Sequence, residues 1–293
     1  MSTEQYAFDM EDVEYVQHPT GPLLARLYRP KVSKPTAAVI ELHGGGWSIF
    51  DRTRGVTVHE ALARRGVFVM SLDFRQGAEG AYPLMLQDIN YAVRWLKANA
   101  ARYGIDPNRV ALSGNSTGGH TAMLAAMRPD DQRYGMLKLP AEMEEFDATV
   151  RCVVMLWPVI NPIGRYLRAK ALVGTEGAPE WAEPTVACHD NFWVSEANMT
   201  EASPTQMLGR GEEVTLPPAL WIRATGDDVH DYANRETGRP ESEEFVARYR
   251  AAGGEIELIT FEAPMMFTTA YPTMPESIAA LDQIVDFVER WTR

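Results

Sequence analysis

The chain has 293 residues, 45% of them hydrophobic and 23% charged, an ordinary globular composition with room for one large core or two modest ones. Its formal net charge of -12 and pI near 5.0 argue against nucleic acid and anionic membrane as partners, because both would repel it at long range. The first residues carry no basic region followed by an apolar run, and no apolar segment reaches the ~18 residues a membrane span requires, so a cytoplasmic location is expected.

In chain order, VEYVQHP and LLARLYRP are runs of strand formers around the turn pair Thr20 and Gly21, which predicts a hairpin. AAVIELHG and GVFVMSLDF are near-continuous apolar runs, the pattern of strands buried on both faces. Between Pro83 and Gly104, Leu86, Ile89, Val93 and Leu96 recur at helical spacing. RVALSG then predicts a strand leading into the helix STGGHTAMLAAM, and VRCVVMLWPV a further strand. Residues 160–216 have scattered apolar content, Trp181, Phe192 and Trp193 included, but no strand signal. Structureless loops of that length are uncommon unless functional, so a small helical cap over the C-terminal edge of the sheet is expected, within a single 1–293 domain.

After it come ALWIRA as strand, SEEFVARYRAAGG as helix with Gly253 as its stop, and EIELITF as strand. A closing helix is expected to present Ile278, Leu281, Val285 and Val288 on one face. Strand and helix alternate almost throughout, so the fold class is α/β with a mostly parallel central sheet flanked by helices. Cys152 and Cys188 are too few for a disulfide framework and have no metal-ligand spacing, so both are expected as free thiols. The glycine-rich runs lack the spacing of a nucleotide-binding loop, and no metal or cofactor is expected.

GNSTGG, Gly114 to Gly119, fits G-x-S-x-G between a strand and a helix. A serine at that sharp turn stands above the sheet, which points to Ser116 as a nucleophile, with a helix N-cap as its alternative role. HGGGW, His43 to Trp47, follows a buried strand, and its successive glycines leave backbone N–H groups free for an anionic oxygen. Gly45 and Gly46, with the N–H of Thr117, are the candidate oxyanion donors, and His43 is expected to brace the loop.

These motifs, with LDFRQGAEGAYPLMLQDINYAVRWLKANAARYGIDPNRVALSGNSTGGH and LPPALWIRATGDD, resemble the hormone-sensitive-lipase-like and acetyl-esterase-like carboxylesterases of the α/β-hydrolase superfamily. The resemblance covers essentially the whole chain. It implies the α/β-hydrolase fold and a serine hydrolase acting on small carboxylic esters. Asn115 departs from the usual Asp or Glu, and RQGAEG from the usual RLAPEH. Asp227 and Asp228 both follow the next-to-last strand, and the family's Gly-Thr-x-Asp-Asp pattern, matched onto Ala224 to Asp228, selects Asp227 to orient the base.

The base should come last, in the loop after the final strand. There the family's Pro/Ala-His-x-Phe pattern falls on FEAPMMF, which puts Met265 at the histidine position. A thioether has no proton chemistry near neutral pH. His18, His59 and His189 lie elsewhere, His120 is expected to pack beneath the elbow, and His230 follows Asp227 on the acid loop. The reach of His230 to Ser116 is doubtful unless a rearranged cap brings it or His189 closer. Losing the triad histidine costs about 10⁶ in turnover, so an impaired hydrolase is expected. The alternatives are a non-catalytic binder of a small hydrophobic ligand, and a lyase or carbon-carbon bond enzyme that reuses the serine and oxyanion hole. A small-molecule ester or hydrophobic ligand is the expected partner, and the oligomeric state is open, a homo-oligomer included.

Overall fold

The predicted hairpin forms as β1 (Phe8–His18) and β2 (Gly21–Pro30), paired antiparallel, in a computed structural model that describes residues 5–34, 36–143 and 145–293. Gly21 takes a φ of 136°, open to glycine and strained for other residues, and so lets the chain reverse after Thr20. The hairpin joins the sheet antiparallel through β2, and all remaining pairings are parallel.

The elements that follow are β3 (Thr36–Leu42), α1 (Val56–Arg64), β4 (Phe68–Leu72), α2 (Leu84–Ala98), α3 (Ala100–Tyr103), β5 (Ile105–Asn115), α4 (Thr117–Met127) and β6 (Val153–Leu156). Four helices come next, α5 (Pro162–Leu172), α6 (Ala182–Trp193), α7 (Glu196–Glu201) and α8 (Pro204–Gly209). The chain closes with β7 (Ala219–Ala224), α9 (Glu241–Ala251), β8 (Ile256–Phe261), α10 (Phe267–Ala270) and α11 (Pro275–Trp291). The sheet order is β1-β2-β4-β3-β5-β6-β7-β8.

Side chains alternate across a strand, so a sheet covered on both faces needs apolar residues at every position. Ala38, Ile40, Leu112, Val153, Met155 and Trp221 enter one core, while Val39, Ala111, Val154, Leu220 and Ile222, one step out of phase, enter the other. That explains the unbroken apolar runs. The helix expected between Pro83 and Gly104 is interrupted at Asn99, and Gly104, at φ 68°, ends the second segment.

The four residues expected together on α11 share one side of the helix, but that side is not the one most deeply packed. Ile278 is 52% exposed, and the side turned to the core carries Ser277, Ala280, Ile284, Phe287 and Val288 along with Val285. Ile278, Leu281 and Val285 instead border a groove against Val56 and Ala61 of α1, about a quarter turn around the helix. Between β6 and β7 the described residues contain no strand, and α5 to α8 occupy the stretch with the expected strandless character.

Candidate active site

β5 stops at Asn115 and α4 starts at Thr117, leaving Ser116 alone at the corner with φ 51° and ψ -120°. A non-glycine residue holds such angles only where its surroundings over-determine them. Here Ser116 N donates to Leu156 O at 2.9 Å, while Ser116 O accepts from His120 N at 3.2 Å and Val159 N at 3.1 Å. The corner also depends on close backbone approach. A Cβ on Gly118 would stand 2.1 Å from Leu42 O, so only glycine lets the first turn of α4 lie against the end of β3.

The Ser116 hydroxyl is 2.9 Å from His230 Nε2. On the far side of the ring, His230 Nδ1 is 2.9 Å and 2.8 Å from the two carboxylate oxygens of Asp227. An ionised carboxylate can only accept, so Nδ1 carries the proton and Nε2 turns its lone pair toward Ser116. Burial disfavours the imidazolium and holds His230 below its ordinary pKa, although Asp227 pulls the other way. Burial pushes the Asp227 carboxyl up, but its bonds to the His230 ring and to the amides of His230 and Val229 outweigh that and leave it below its ordinary value. The site therefore favours a neutral base beside an ionised carboxylate.

The doubt over the reach of His230 is resolved by the shape of the acid loop. Asp231 N donates to Asp227 O at 3.2 Å, and Asp227 Oδ1 accepts from His230 N at 3.1 Å and Val229 N at 3.2 Å. The chain thus closes one helix-like turn, in which positions i and i+3 share a face, and the imidazole folds back over the carboxylate. Met265 lies in the turn after β8, 38% exposed. Asp228 is exposed, and its carbonyl accepts from Arg168 Nη1.

The other histidines are engaged elsewhere. His120 packs beneath the elbow with Nε2 against Ala202 O, His189 bonds Thr185 O, His18 bonds Asp88, and His59 lies beside Tyr28. The sequence does contain a signal for His230: a histidine three residues after the candidate acid, in a loop of turn formers.

The loop after β3 is built to leave amides free. Gly44 N donates to Asn115 Oδ1 at 3.1 Å, so the asparagine that departs from the family pattern ties this loop to the elbow. Trp47 N reaches Thr117 Oγ1 at 3.3 Å. Gly45 N, Gly46 N and Thr117 N have no hydrogen-bond partner among the described residues. Gly45 takes a φ of 99°, and a Cβ there would meet Ile49 O at 2.3 Å. His43 stacks on Phe74 at 4.3 Å and bonds Gly44 O, a bracing position.

Trp47 fixes the loop to α6. Its ring lies parallel to Phe192 at 5.3 Å and meets His189 and Trp193 edge-on, and its Nε1 donates to Thr121 Oγ1. Cys188, also on α6, backs onto the same loop, since a Cβ on Gly46 would lie 3.0 Å from its Sγ. Both cysteines are free thiols. Among the described residues no group of three His, Cys, Asp or Glu side chains could hold a metal ion, and no helix is long and apolar enough to cross a membrane.

A family model described as BD-FAE matches residues 26–209. Esterase LipI of Mycobacterium tuberculosis strain ATCC 25618 / H37Rv is 26% identical over 221 residues, 74% of this chain and 64% of that protein. Esterase LipC of the same strain is 33% identical over 135 residues, 46% of this chain and 31% of that protein. The chain thus matches about a third to two thirds of the length of these curated relatives. Among solved structures, EstE1, a thermophilic and thermostable carboxylesterase cloned from a metagenomic library, superposes with a TM-score of 0.75 at 24% identity, covering 99% of this chain and 91% of that one. At that identity the likeness speaks for the fold.

Proposed function

The chain belongs to the BD-FAE family and has the α/β-hydrolase fold, and on that premise we propose that it hydrolyses small carboxylic esters through an acyl-enzyme on Ser116, with His230 as the base. The single observation that carries this reading is the 2.9 Å contact between Ser116 Oγ and His230 Nε2. As Oγ attacks the ester carbonyl, Nε2 takes the hydroxyl proton, and the negative charge gathering on the carbonyl oxygen is met by the amides of Gly45, Gly46 and Thr117. His230 then returns the proton to the departing alcohol, leaving the acyl group on Ser116. Water, deprotonated by the same nitrogen, releases the acid. Asp227 holds the ring in the tautomer these steps need and stabilises it once charged.

In this reading residues 160–216 form a cap over the site within one domain, tied to the oxyanion loop through Trp47 and Phe192. The impairment expected from Met265 is not part of it, because His230 supplies an imidazole. The non-catalytic and lyase alternatives answered a missing base, and no contact around Ser116 favours either.

A fluorophosphonate probe with a fluorescent tag is expected to label the native chain at an ordinary serine-hydrolase rate and to leave Ser116→Ala unlabelled. An unlabelled native chain that is folded would overturn the proposal.

A further inference from the structure

Arg165, on α5, is only 8% exposed and has no ion pair among the described residues. The one hydrogen bond of its side chain among the described residues is a long one, 3.4 Å from Nη2 to Thr185 Oγ1, and both Nε and Nη1 are buried without a partner there. This is costly, because a buried charge ordinarily has a counter-charge. The chain follows that rule elsewhere: Arg75, 13% exposed, sits on Asp88, and Arg128, 10% exposed, on Glu201 and Glu212.

The surroundings of the guanidinium place it at the site. Thr185 and Cys188 lie on the helix that backs onto Gly46. The acid loop is held to the same helix, since Tyr232 OH donates at 2.7 Å to the carbonyl of Asn161, the N-cap of α5, and the charge of Arg165 is felt at Asp227, His230 and His189. Asp227 forms no hydrogen bond or ion pair with it among the described residues; its carboxylate is paired with the His230 ring. A planar cation with free donors therefore sits on a helix tied both to α6, which backs onto the oxyanion loop, and to the acid loop that carries the proposed base.

We propose that Arg165 binds a carboxylate on the substrate, so that the ester preferred by this site is a monoester of a short dicarboxylic acid. The proposal rests on the hydrolase reading above and narrows its substrate class. A guanidinium suits the task because its fork of N–H groups matches the two oxygens of a carboxylate. The bond broken is still the ester C–O bond, and the second carboxylate is carried through the reaction unchanged.

The test compares ethyl hydrogen succinate with ethyl 4-methylpentanoate, a neutral ester of nearly the same shape. The native chain is expected to favour the anionic ester by about tenfold or more in kcat/KM, the scale of one charge-assisted pair. Arg165→Met is expected to remove that preference and Arg165→Lys to keep part of it. Because the result is a ratio of two substrates, a general loss of activity cancels. If the native chain hydrolyses the neutral ester at least as well as the anionic one, the role of Arg165 is overturned and the hydrolase reading stands.

If it hydrolyses neither ester and fluorophosphonate does not label Ser116, the hydrolase reading fails, and binding decides the role of Arg165. A melting temperature raised by ethyl hydrogen succinate and not by the neutral ester, with the rise absent in a folded Arg165→Met or reduced in Arg165→Lys, supports the carboxylate site. An equal rise with both esters, or none, overturns it.

Discussion

The proposed base, three residues from its proposed orienting acid, is short of backbone freedom, and the loop meets that limit by using one carboxylate oxygen for three hydrogen bonds. Asp227 Oδ1 holds the amides of Val229 and His230 as well as the His230 ring, so the carboxylate shapes the turn and orients the base together. His230→Ala is therefore expected to lower p-nitrophenyl acetate turnover by about 10⁴ to 10⁶ with the protein still folded, whereas Met265→His is expected to stay within a few-fold of the native rate. A rise of several decades in Met265→His would return the base to the turn after β8. Because burial lowers the pKa of His230, the neutral base predominates at pH 7, and the half-point of the acid limb of kcat/KM should lie below the ordinary histidine value of about 6.5. Ser116 and the glycines around it were legible because each type is required by a backbone contact: no other residue fits at Gly118 against Leu42 O. His230 was hidden because chain order says Ser, Asp, His and is satisfied equally by a histidine three residues on or after the last strand. Only the turn closed by Asp231 N on Asp227 O chooses between them. The positive charge at Arg165 was likewise invisible, since nothing in PIGRYL says which arginine lacks a partner.

The elements that carry the site meet at Asn161. Its Oδ1 caps α5 through Gly164 N at 3.1 Å and accepts from Ser203 Oγ at 3.0 Å, the N-cap of α8. Its Nδ2 donates to Glu241 Oε2 at 3.2 Å at the start of α9, and its carbonyl accepts from Tyr232 OH at 2.7 Å on the acid loop. Asn234 reaches the same Glu241 oxygen from further along that loop. One buried asparagine, through its side-chain amide and its main-chain carbonyl, thus joins the exit of β6, the helices α5, α8 and α9, and the segment that carries His230. Asn161→Ala would strand several buried partners and remove a cap, and about 2 to 3 kcal/mol of stability is expected to be lost in urea unfolding. The same variant keeps the carbonyl bond to Tyr232 but frees Glu241, the partner of Asn234 on the acid loop, so it should lose kcat more than KM as that loop loosens while the oxyanion loop does not. Tyr232→Phe removes one of these bonds and should cost about 1 kcal/mol. An Asn161→Ala protein with native kcat would show that the acid loop holds itself. The strands around this junction could be read from sequence because burial on both faces leaves an unbroken apolar run. On α11, 3.6-residue periodicity allowed two neighbouring faces, and only the packed sheet decides that Ala280, Ile284 and Phe287 go inward while Ile278 does not.

Across the whole molecule, five of the six histidines are held below their ordinary pKa by burial: His43, His59, His120, His189 and His230. His59 and His189 fall to about 3 and His120 to about 4. In the unfolded chain each takes up a proton as the pH falls through about 6.5, while in the folded chain it stays neutral to lower pH, down to about 3 or 4 for His59, His189 and His120. Below that point the unfolded state binds more protons, so stability falls with pH, by about 1.4 kcal/mol per pH unit for each proton of difference. Two buried carboxyls act in the opposite sense. Glu41, raised to about 7, and Glu241, also raised, keep their protons in the folded chain after the unfolded one has lost them, a contribution present below about pH 4.5 and lost as pH rises through the folded value. The three histidines that stay neutral to about pH 3 or 4 outweigh the two carboxyls, and the melting temperature should fall from pH 6.5 to pH 4. His59 isolates one proton of that difference, because neither ring nitrogen has a partner among the described residues and the ring packs on Tyr28 at 5.3 Å. His59→Leu sacrifices no hydrogen bond and should flatten the curve of melting temperature against pH, the variant gaining on the native chain most at the acid end. Curves that stay parallel from pH 8 to pH 4 would mean that His59 takes up its proton in the folded chain as readily as in the unfolded one.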